Sequence, residues 1–461
     1  MPRERSVIIV VLGDFGRSPR MQYHALSLAN DGRNVRVVAY RGSAPARELT
    51  DHARISFTAV TSGEHAALRR VLPHPVRLAV RALVQALHLF WILCARGARA
   101  DDVLVQTPPC APTFTIVGIA CALRRMRLII DWHNFAYTLF AMKYGGARGW
   151  MTRLLERYER RSGTFWAAEH LCVTRAMEDF LRLKWCIRRV RVVRDQAPEC
   201  FREAAREAAA RGREAFWRDA RVERAMEASR CSRGAGDVVD AYYARRGDRT
   251  DSREENLRFV VTSTSWTPDE DFQLLLDAAV EYDARATRLG TKSPSRRTST
   301  SKPPPPPLAI IVTGKGPQKR MFEDKINAMA STLTHVAFRT VWLEFADYPR
   351  ALANADVGVS LHASSSGLDL PMKVCDMFGA SLPVLALEYD VIRDELVDDG
   401  VNGVLFRDAG ALADALERCF ARPGAKAFTS TLKRGAESSG ARTWEDNWRA
   451  TAAPAFTVHA A

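Results

Sequence analysis

The sequence predicts an α/β protein with two doubly wound parallel-sheet domains in tandem and a ligand cleft between them. Three observations predict it. Short β-branched runs alternate with helix-length stretches over the first 193 residues, the signature of βαβ units. That alternation breaks over 199–256 and resumes at Leu257. The chain has 461 residues, long for one domain and natural for two.

In the first half, the runs 7–12, 35–40, 103–105, 128–130, 171–174 and 190–193 read as buried parallel strands, because strands covered on both faces are continuously apolar. Residues 20–30 and 114–123 read as helices between them. Residues 199–256 are rich in Arg, Glu and Ala and poor in large apolar side chains, so they read as a charged connector, helical or partly disordered. The second half predicts strands at 259–262, 309–313, 336–343, 357–361 and 383–387, with helices at 272–282, 321–329 and 348–353. A Ser/Thr/Arg-rich segment ending in five prolines, 293–307, suits an exposed loop within 285–307. The expected divisions are 1–198, the connector 199–256, 257–440 and a terminal helix or tail at 441–461.

Hydrophobic residues at 47% supply material for two cores. The net charge of +14 favours an anionic partner such as a nucleotide or a phospholipid surface. Zinc-finger spacing, RNP-type aromatics and basic-region heptads are missing, which argues against nucleic acid. The nine cysteines contain no C-x-x-C pair, which suits reduced cytosolic thiols. The apolar run 7–12 is of strand length, so the N-terminus reads as neither signal peptide nor spanning helix.

Residues 76–95 are the most apolar stretch, and Arg77, Arg81, Gln85 and His88 fall on one narrow helical stripe. One reading is an interfacial helix lying among lipid headgroups, with Arg77, Arg81, Phe90 and Trp91 meeting the membrane. The other is a helix packed in the core with its arginines at the exposed edge. A spanning helix would bury two arginines at a few kcal/mol each.

Five motifs follow strand ends, where such folds place functional groups. The first carries Gly13, Asp14, Gly16 and Arg17; glycines allow close backbone approach, and the next helix offers N–H groups to an anion. Its spacing is not the dinucleotide fingerprint. The second is Asp131-Trp132-His133-Asn134, where His133 has the chemistry to accept a proton. The third, 263–271, supplies hydroxyls including Ser265 before an acidic helix start. The fourth is Gly314-Lys315-Gly316-Pro317, suited to a diphosphate but not a Walker loop. The fifth is a small-residue loop with Ser364, Ser365, Ser366 and Gly367, then a helix opening near Pro371 that carries Lys373 and Asp376. Loop and helix start can cradle a diphosphate that Lys373 neutralises, while Asp369 and Asp376 take sugar hydroxyls. No cluster with metal-ligand spacing is visible, although a divalent metal is compatible with this chemistry.

At these motifs the chain resembles the chitobiosyldiphosphodolichol beta-mannosyltransferase family. The resemblance rests on VVLGDFGRSPRMQYHALSLA (10–29), DWHNFAYTL (131–139), STSWTPDEDFQLLLDA (263–278), TGKGP (313–317), WLEFADYP (342–349) and SLHASSSGLDLPMKVCDMFG (360–379). It implies two Rossmann-like domains of the GT-B glycosyltransferase architecture. The second would hold the donor GDP-mannose, and the first the acceptor, dolichyl-diphosphate chitobiose. Inverting β-1,4 transfer would add the first mannose of the N-glycan precursor at the cytosolic face of the endoplasmic reticulum membrane, alongside other mannosyltransferases of the pathway. Related retaining enzymes carry two glutamates; Asp376 matches the second, whereas Asp369 lies one residue too close to match the first. Family members commonly carry an N-terminal membrane anchor, and its absence here would leave residues 76–95 and basic surface to hold the membrane. For the mechanism, Asp14 is the expected base with His133 the runner-up. Lys315, Lys373 and the N–H groups of 364–367 would stabilise the leaving GDP. The rivals are a lipid-linked glycosyltransferase using another nucleotide sugar, and a non-catalytic scaffold of the same fold.

Overall fold

A computed structural model describes residues 5–61, 73–95, 100–144, 149–229, 238–240, 257–268, 270–290, 305–344 and 346–457. The proline-rich loop expected around 293–307 lies largely outside them. The chain forms two compact units, residues 1–195 with 444–461, and residues 196–443.

Unit 1 holds a seven-stranded, all-parallel sheet of order β3-β2-β1-β4-β5-β6-β7. Its strands are β1 (Ser6–Asp14), β2 (Asn34–Tyr40), β3 (Ile55–Val60), β4 (Asp102–Thr107), β5 (Arg127–Trp132), β6 (Glu169–Cys172) and β7 (Val190–Val192). The chain runs outward from β1 to β3, then crosses back to β4. The strand order therefore reverses at the β1/β4 pair, where open α/β sheets bind ligands. Helix α1 (Pro19–Asn30) packs its buried Met21, Ala25 and Leu28 beneath β1 and β2. On this face also lie helix Trp444–Thr451 and the 3-10 turn Ala453–Phe456 after it, with Trp444, Trp448 and Phe456 buried in the same core. Trp444 Nε1 donates to Ser27 Oγ at 3.0 Å and Trp448 Nε1 to His24 Nδ1 at 3.0 Å. These contacts attach the C-terminal segment to unit 1. Among the described residues, four further helices lie between β3 and β6: α2 (His74–Cys94), α3 (Thr113–Arg124), α4 (Ala136–Tyr144) and α5 (Trp150–Trp166).

Unit 2 holds a six-stranded, all-parallel sheet of order β10-β9-β8-β11-β12-β13. Its strands are β8 (Arg258–Ser263), β9 (Leu308–Thr313), β10 (Val336–Val341), β11 (Val357–Ser360), β12 (Val384–Leu387) and β13 (Gly403–Phe406). Here the switch point is β8/β11.

The Arg/Glu/Ala-rich segment, set apart in the sequence as a connector, packs into unit 2 wherever it is described. Its helices α6 (Glu199–Arg211), α7 (Arg213–Trp217) and α8 (Ala220–Glu227) contribute Phe201, Phe216, Trp217, Val222 and Met226 to the core. The Trp217 ring stacks on Phe259 at 4.4 Å, and its Nε1 donates to Asn354 O at 2.8 Å. Each such buried aromatic contributes roughly 2–3 kcal/mol. A few well-spaced anchors hold the segment down where average composition gives no sign of a core.

Candidate active site

Unit 2 brings three of the motifs together at the carboxyl ends of β8, β9 and β11. The loop after β9 lies directly on the loop after β8. A Cβ on Gly314 (φ +143°) would fall 1.8 Å from Thr264 O, and one on Gly316 would fall 1.7 Å from Ser265 O. These two glycines are therefore required by loop-on-loop packing, whatever else the loop binds. Lys315 is exposed and its Nζ sits 3.6 Å from the centroid of the Trp342 ring, a cation–π geometry.

Glu270 joins the loops after β8 and β11. It is 5% exposed and accepts from Ser265 N at 2.8 Å, Ser265 Oγ at 3.3 Å and Thr264 Oγ1. It also ion-pairs with Lys373 and forms an antiparallel bridge with His362. Lys373 lies in the first turn of helix Met372–Gly379, for which Pro371 is the N-cap. The serine-rich loop is folded around Asp369. That carboxylate accepts from Ser364 Oγ, from Ser366 Oγ at 3.1 Å and from His362 Nε2 at 3.0 Å. Burial works against its charge, but His362 and the two serines outweigh it and hold the carboxyl below its ordinary range. The Asp369 main-chain carbonyl accepts from Tyr389 OH at 2.9 Å. Asp369 thus spends its side chain organising the loop that was expected to grip a diphosphate. Ser365 is half-buried, and Gly367 takes φ +70° with open space around it. Asp376 is half-buried one turn after Lys373; with burial, its charge raises the pKa of Tyr348, whose OH lies 3.1 Å from Ser263 Oγ.

Unit 1 brings the other two motifs to the carboxyl ends of β1 and β5. The Asp14 carboxylate accepts from Gly16 N at 3.0 Å, Ser43 N at 3.0 Å and Ser43 Oγ at 2.8 Å, tying the loop after β1 to the loop after β2. A Cβ on Gly16 would fall 2.3 Å from Ser43 O, while one on Gly13 would meet only Val11 at 3.9 Å. Arg17 is exposed beside them.

His133 Nε2 lies 2.8 Å from Asp131 Oδ2. Asp131 is fully buried and held in a fork by Arg20, whose Nε and Nη2 donate at 2.9 and 2.8 Å. Arg20 Nη1 also donates to Asp195 at 2.7 Å and to Val193 O at 2.8 Å. Burial opposes the Asp131 charge, yet Arg20 and His133 hold this carboxyl well below the usual carboxylate range. Because Trp448 donates to His24 Nδ1, the His24 proton sits on Nε2, 3.2 Å from Asp131 Oδ2. Burial lowers the His24 pKa and keeps that ring neutral. Asp131 thus orients the only partly exposed member of the network, His133, whose side chain is 19% accessible.

Helix α2 fits neither expected picture in full. Its polar stripe does not face solvent: His88 Nδ1 accepts from Thr61 N at 3.0 Å, Arg81 hydrogen-bonds Tyr40, and Arg77 is half-buried. Leu89, Ile92 and Leu93 are buried, Phe90 is half-buried, and Trp91 is 67% exposed. No described helix is long and apolar enough to cross a membrane. Among the described residues no group of three His, Cys, Asp or Glu is placed to share a metal ion.

Motif reading passed over Glu270, Arg20 and Asp195. Glu270 looked like an ordinary acidic helix start. Arg20 and Asp195 are 175 positions apart, and no local pattern joins them.

A family profile described as glycosyl transferases group 1 matches residues 299–422. UDP-glycosyltransferase TURAN from Arabidopsis thaliana is 40% identical over 472 residues, covering 99% of this chain and 98% of its own. The chitobiosyldiphosphodolichol beta-mannosyltransferases of Mus musculus and Homo sapiens are each 35% identical, over 98% of this chain and 89% and 92% of theirs. Among solved structures, Anabaena HepE in complex with UDP-glucose aligns with a TM-score of 0.60 at 14% identity, over 98% of this chain and all of its own. Sucrose-phosphate synthase from Thermosynechococcus elongatus aligns at 0.59 and 12%, over 97% and 96%. These two likenesses carry the fold, two Rossmann-like parallel-sheet domains of the GT-B type. Identity of this order to the named enzymes along nearly the whole chain carries the family: the protein is a glycosyltransferase belonging to the chitobiosyldiphosphodolichol beta-mannosyltransferase family.

Proposed function

We propose that the chain moves mannose from GDP-mannose to dolichyl-diphosphate chitobiose by inverting β-1,4 transfer, at the cytosolic face of the endoplasmic reticulum membrane. The observation that supports it most is the Asp369-centred serine loop followed by Lys373, with Glu270 and Ser265 against it. A loop of hydroxyls and main-chain N–H groups ahead of a helix start, with a cation in its first turn, is suited to a sugar-linked diphosphate. Lys373 and the N–H groups of residues 364–367 stabilise the departing GDP as its bond to the anomeric carbon breaks. Asp376 takes a donor hydroxyl. Lys315 and Gly316 frame the donor loop through its packing on Ser265.

Unit 1 supplies the acceptor side through the loop of Gly13, Gly16 and Arg17. In our reading His133 is the base. With Nε2 committed to Asp131, its Nδ1 takes the acceptor hydroxyl proton as that oxygen attacks the anomeric carbon from the face opposite GDP. Asp14, with both oxygens occupied by Gly16 and Ser43, acts as the anchor of the acceptor loop.

A second reading is a UDP-sugar donor, favoured by the name of the Arabidopsis relative. A donor panel on purified protein, with phytanyl-diphosphate chitobiose in detergent, separates the two. Transfer from GDP-mannose alone supports the proposal, and transfer from a UDP-sugar instead replaces it. Binding of GDP-mannose without turnover would leave a scaffold.

A further inference from the structure

The four helices α2–α5 of unit 1 form one continuous layer. Helix α2 packs on α3, α3 on α5, and α5 on α4. The α3–α5 approach is close enough that a Cβ on Gly118 would fall 2.2 Å from the Trp166 ring. Their inner faces are buried, with Leu89 and Leu93 on α2, Phe114 and Val117 on α3, and Ser162 and Gly163 on α5.

Their outer faces are apolar as well. On α2, Leu83, Leu87 and Trp91 recur every four residues and are 59%, 60% and 67% exposed. Helix α3 adds Ile119 and Leu123, and α4 adds Met142 and Tyr144. On α5, Trp150, Leu154 and Phe165 are 74%, 59% and 75% exposed. Of the 18 large apolar side chains exposed among the described residues, 12 fall on these four helices. A concentration of that kind marks a surface that something covers.

The charges say what covers it. Of the eight Lys or Arg on the four helices, Lys143, Arg153, Arg157, Arg160 and Arg161 are exposed, while the two acids, Glu156 and Glu159, are half-buried and buried. Arg153, Arg157, Arg160 and Arg161 are exposed among the apolar side chains of α5. A second copy seated on this face would set cation against cation, because a two-fold interface brings like surfaces together. Anionic lipid headgroups complement the arginines while the Trp, Leu and Phe side chains enter the acyl boundary, the arrangement of interfacial helices.

We propose that the outer face of α2–α5 docks flat on an anionic phospholipid bilayer. This deepens the proposed function and rests on its reading of a lipid-borne acceptor. Docking is measured with the full chain and sedimented vesicles of phosphatidylcholine, with and without phosphatidylserine. The chain should bind the phosphatidylserine vesicles and release at high salt. Leu87→Ser/Trp150→Ser/Phe165→Ser should weaken binding about a hundredfold or more. Arg153→Gln/Arg157→Gln/Arg161→Gln, which leaves the apolar surface intact, should remove the preference for phosphatidylserine, a loss of about a hundredfold. Circular dichroism melting checks that both variants fold. The proposal is overturned if the parent ignores anionic vesicles, if both variants bind like the parent, or if the parent dimerises through this face and the serine variant is monomeric. Vesicle binding needs no donor, and transfer in detergent needs no vesicle. A chain that docks but transfers nothing therefore sinks the proposed function alone, and one that transfers but does not dock sinks this inference alone.

Discussion

His133 Nε2 sits 2.8 Å from Asp131 Oδ2, and the same carboxylate is clasped by two nitrogens of Arg20. One ring nitrogen of His133 is thereby fixed as the side facing the protein, and the other is left for chemistry. His133→Ala should lower kcat by about two to four orders of magnitude, the usual worth of a positioned base. Asp14→Asn should cost far less, because Asp14 holds a loop. Kinetics of both variants with GDP-mannose decide between them, and full rate in both would leave neither as the base.

Asp131→Asn should do two kinds of damage. It leaves Arg20, 1% exposed, with only the Asp195 carboxylate to offset its charge, and breaking a buried pair costs about 3–5 kcal/mol. It also releases His133. A lowered urea midpoint together with a lowered kcat is the expected pair of readings. A stability loss with kcat intact would separate Asp131 from the reaction.

Lys373→Ala should lower turnover by about one to three orders of magnitude, the scale of losing a stabiliser of the leaving group. The variant also leaves the buried Glu270 charge without its cation, so some stability should go as well. The double variant Lys373→Met/Glu270→Gln tests which loss matters. It should regain stability and still fail in turnover. Recovery of both would make the Lys373–Glu270 ion pair structural only.

Gly16→Ala should be severe and Gly13→Ala mild. The first puts a methyl 2.3 Å from a main-chain oxygen of Ser43, and the second finds nothing nearer than 3.9 Å. Thermal melting and the acceptor KM of the two variants read the difference. Equal behaviour would mean that the loops after β1 and β2 do not hold each other.

The legibility of this chain varied with burial. Central strands such as β1, β4 and β5 are covered on both faces and read directly as unbroken apolar runs. The strands not predicted, Ile55–Val60 and Gly403–Phe406, are at sheet ends. Phe57 of the first is 44% exposed, so its pattern mixes with that of a loop. Strand β6 begins two residues earlier than its apolar run because it opens with Glu169 and His170, both buried. His170 belongs inside because its Nδ1 accepts from Trp132 Nε1 at 3.1 Å. The candidate site was legible as loops at strand ends, since spacing and small residues mark those. It was not legible as pairings, since Arg20–Asp131 and Glu270–Lys373 are made by tertiary approach.

The last prediction concerns pH. Glu159 of α5 accepts from Ala136 N at 3.0 Å, Tyr137 N at 3.3 Å and Thr107 Oγ1 at 3.4 Å, joining the start of α4 to the end of β4. Burial pushes its carboxyl up to about 7, against these hydrogen bonds, which favour the charge. The folded chain therefore keeps a proton that the unfolded chain releases near the ordinary glutamate value. By linkage the stabilisation is complete below that unfolded value and is lost as pH rises through about 7. The loss is about 3 kcal/mol at most, taking 1.36 kcal/mol per pKa unit. Urea midpoints for unit 1 should fall between pH 5 and pH 8. Glu159→Gln keeps an acceptor for the Ala136 N–H but cannot ionise, so its midpoints should change less over the same range. Parallel pH profiles for parent and variant would show that Glu159 is charged in the folded chain throughout, with its hydrogen bonds outweighing burial.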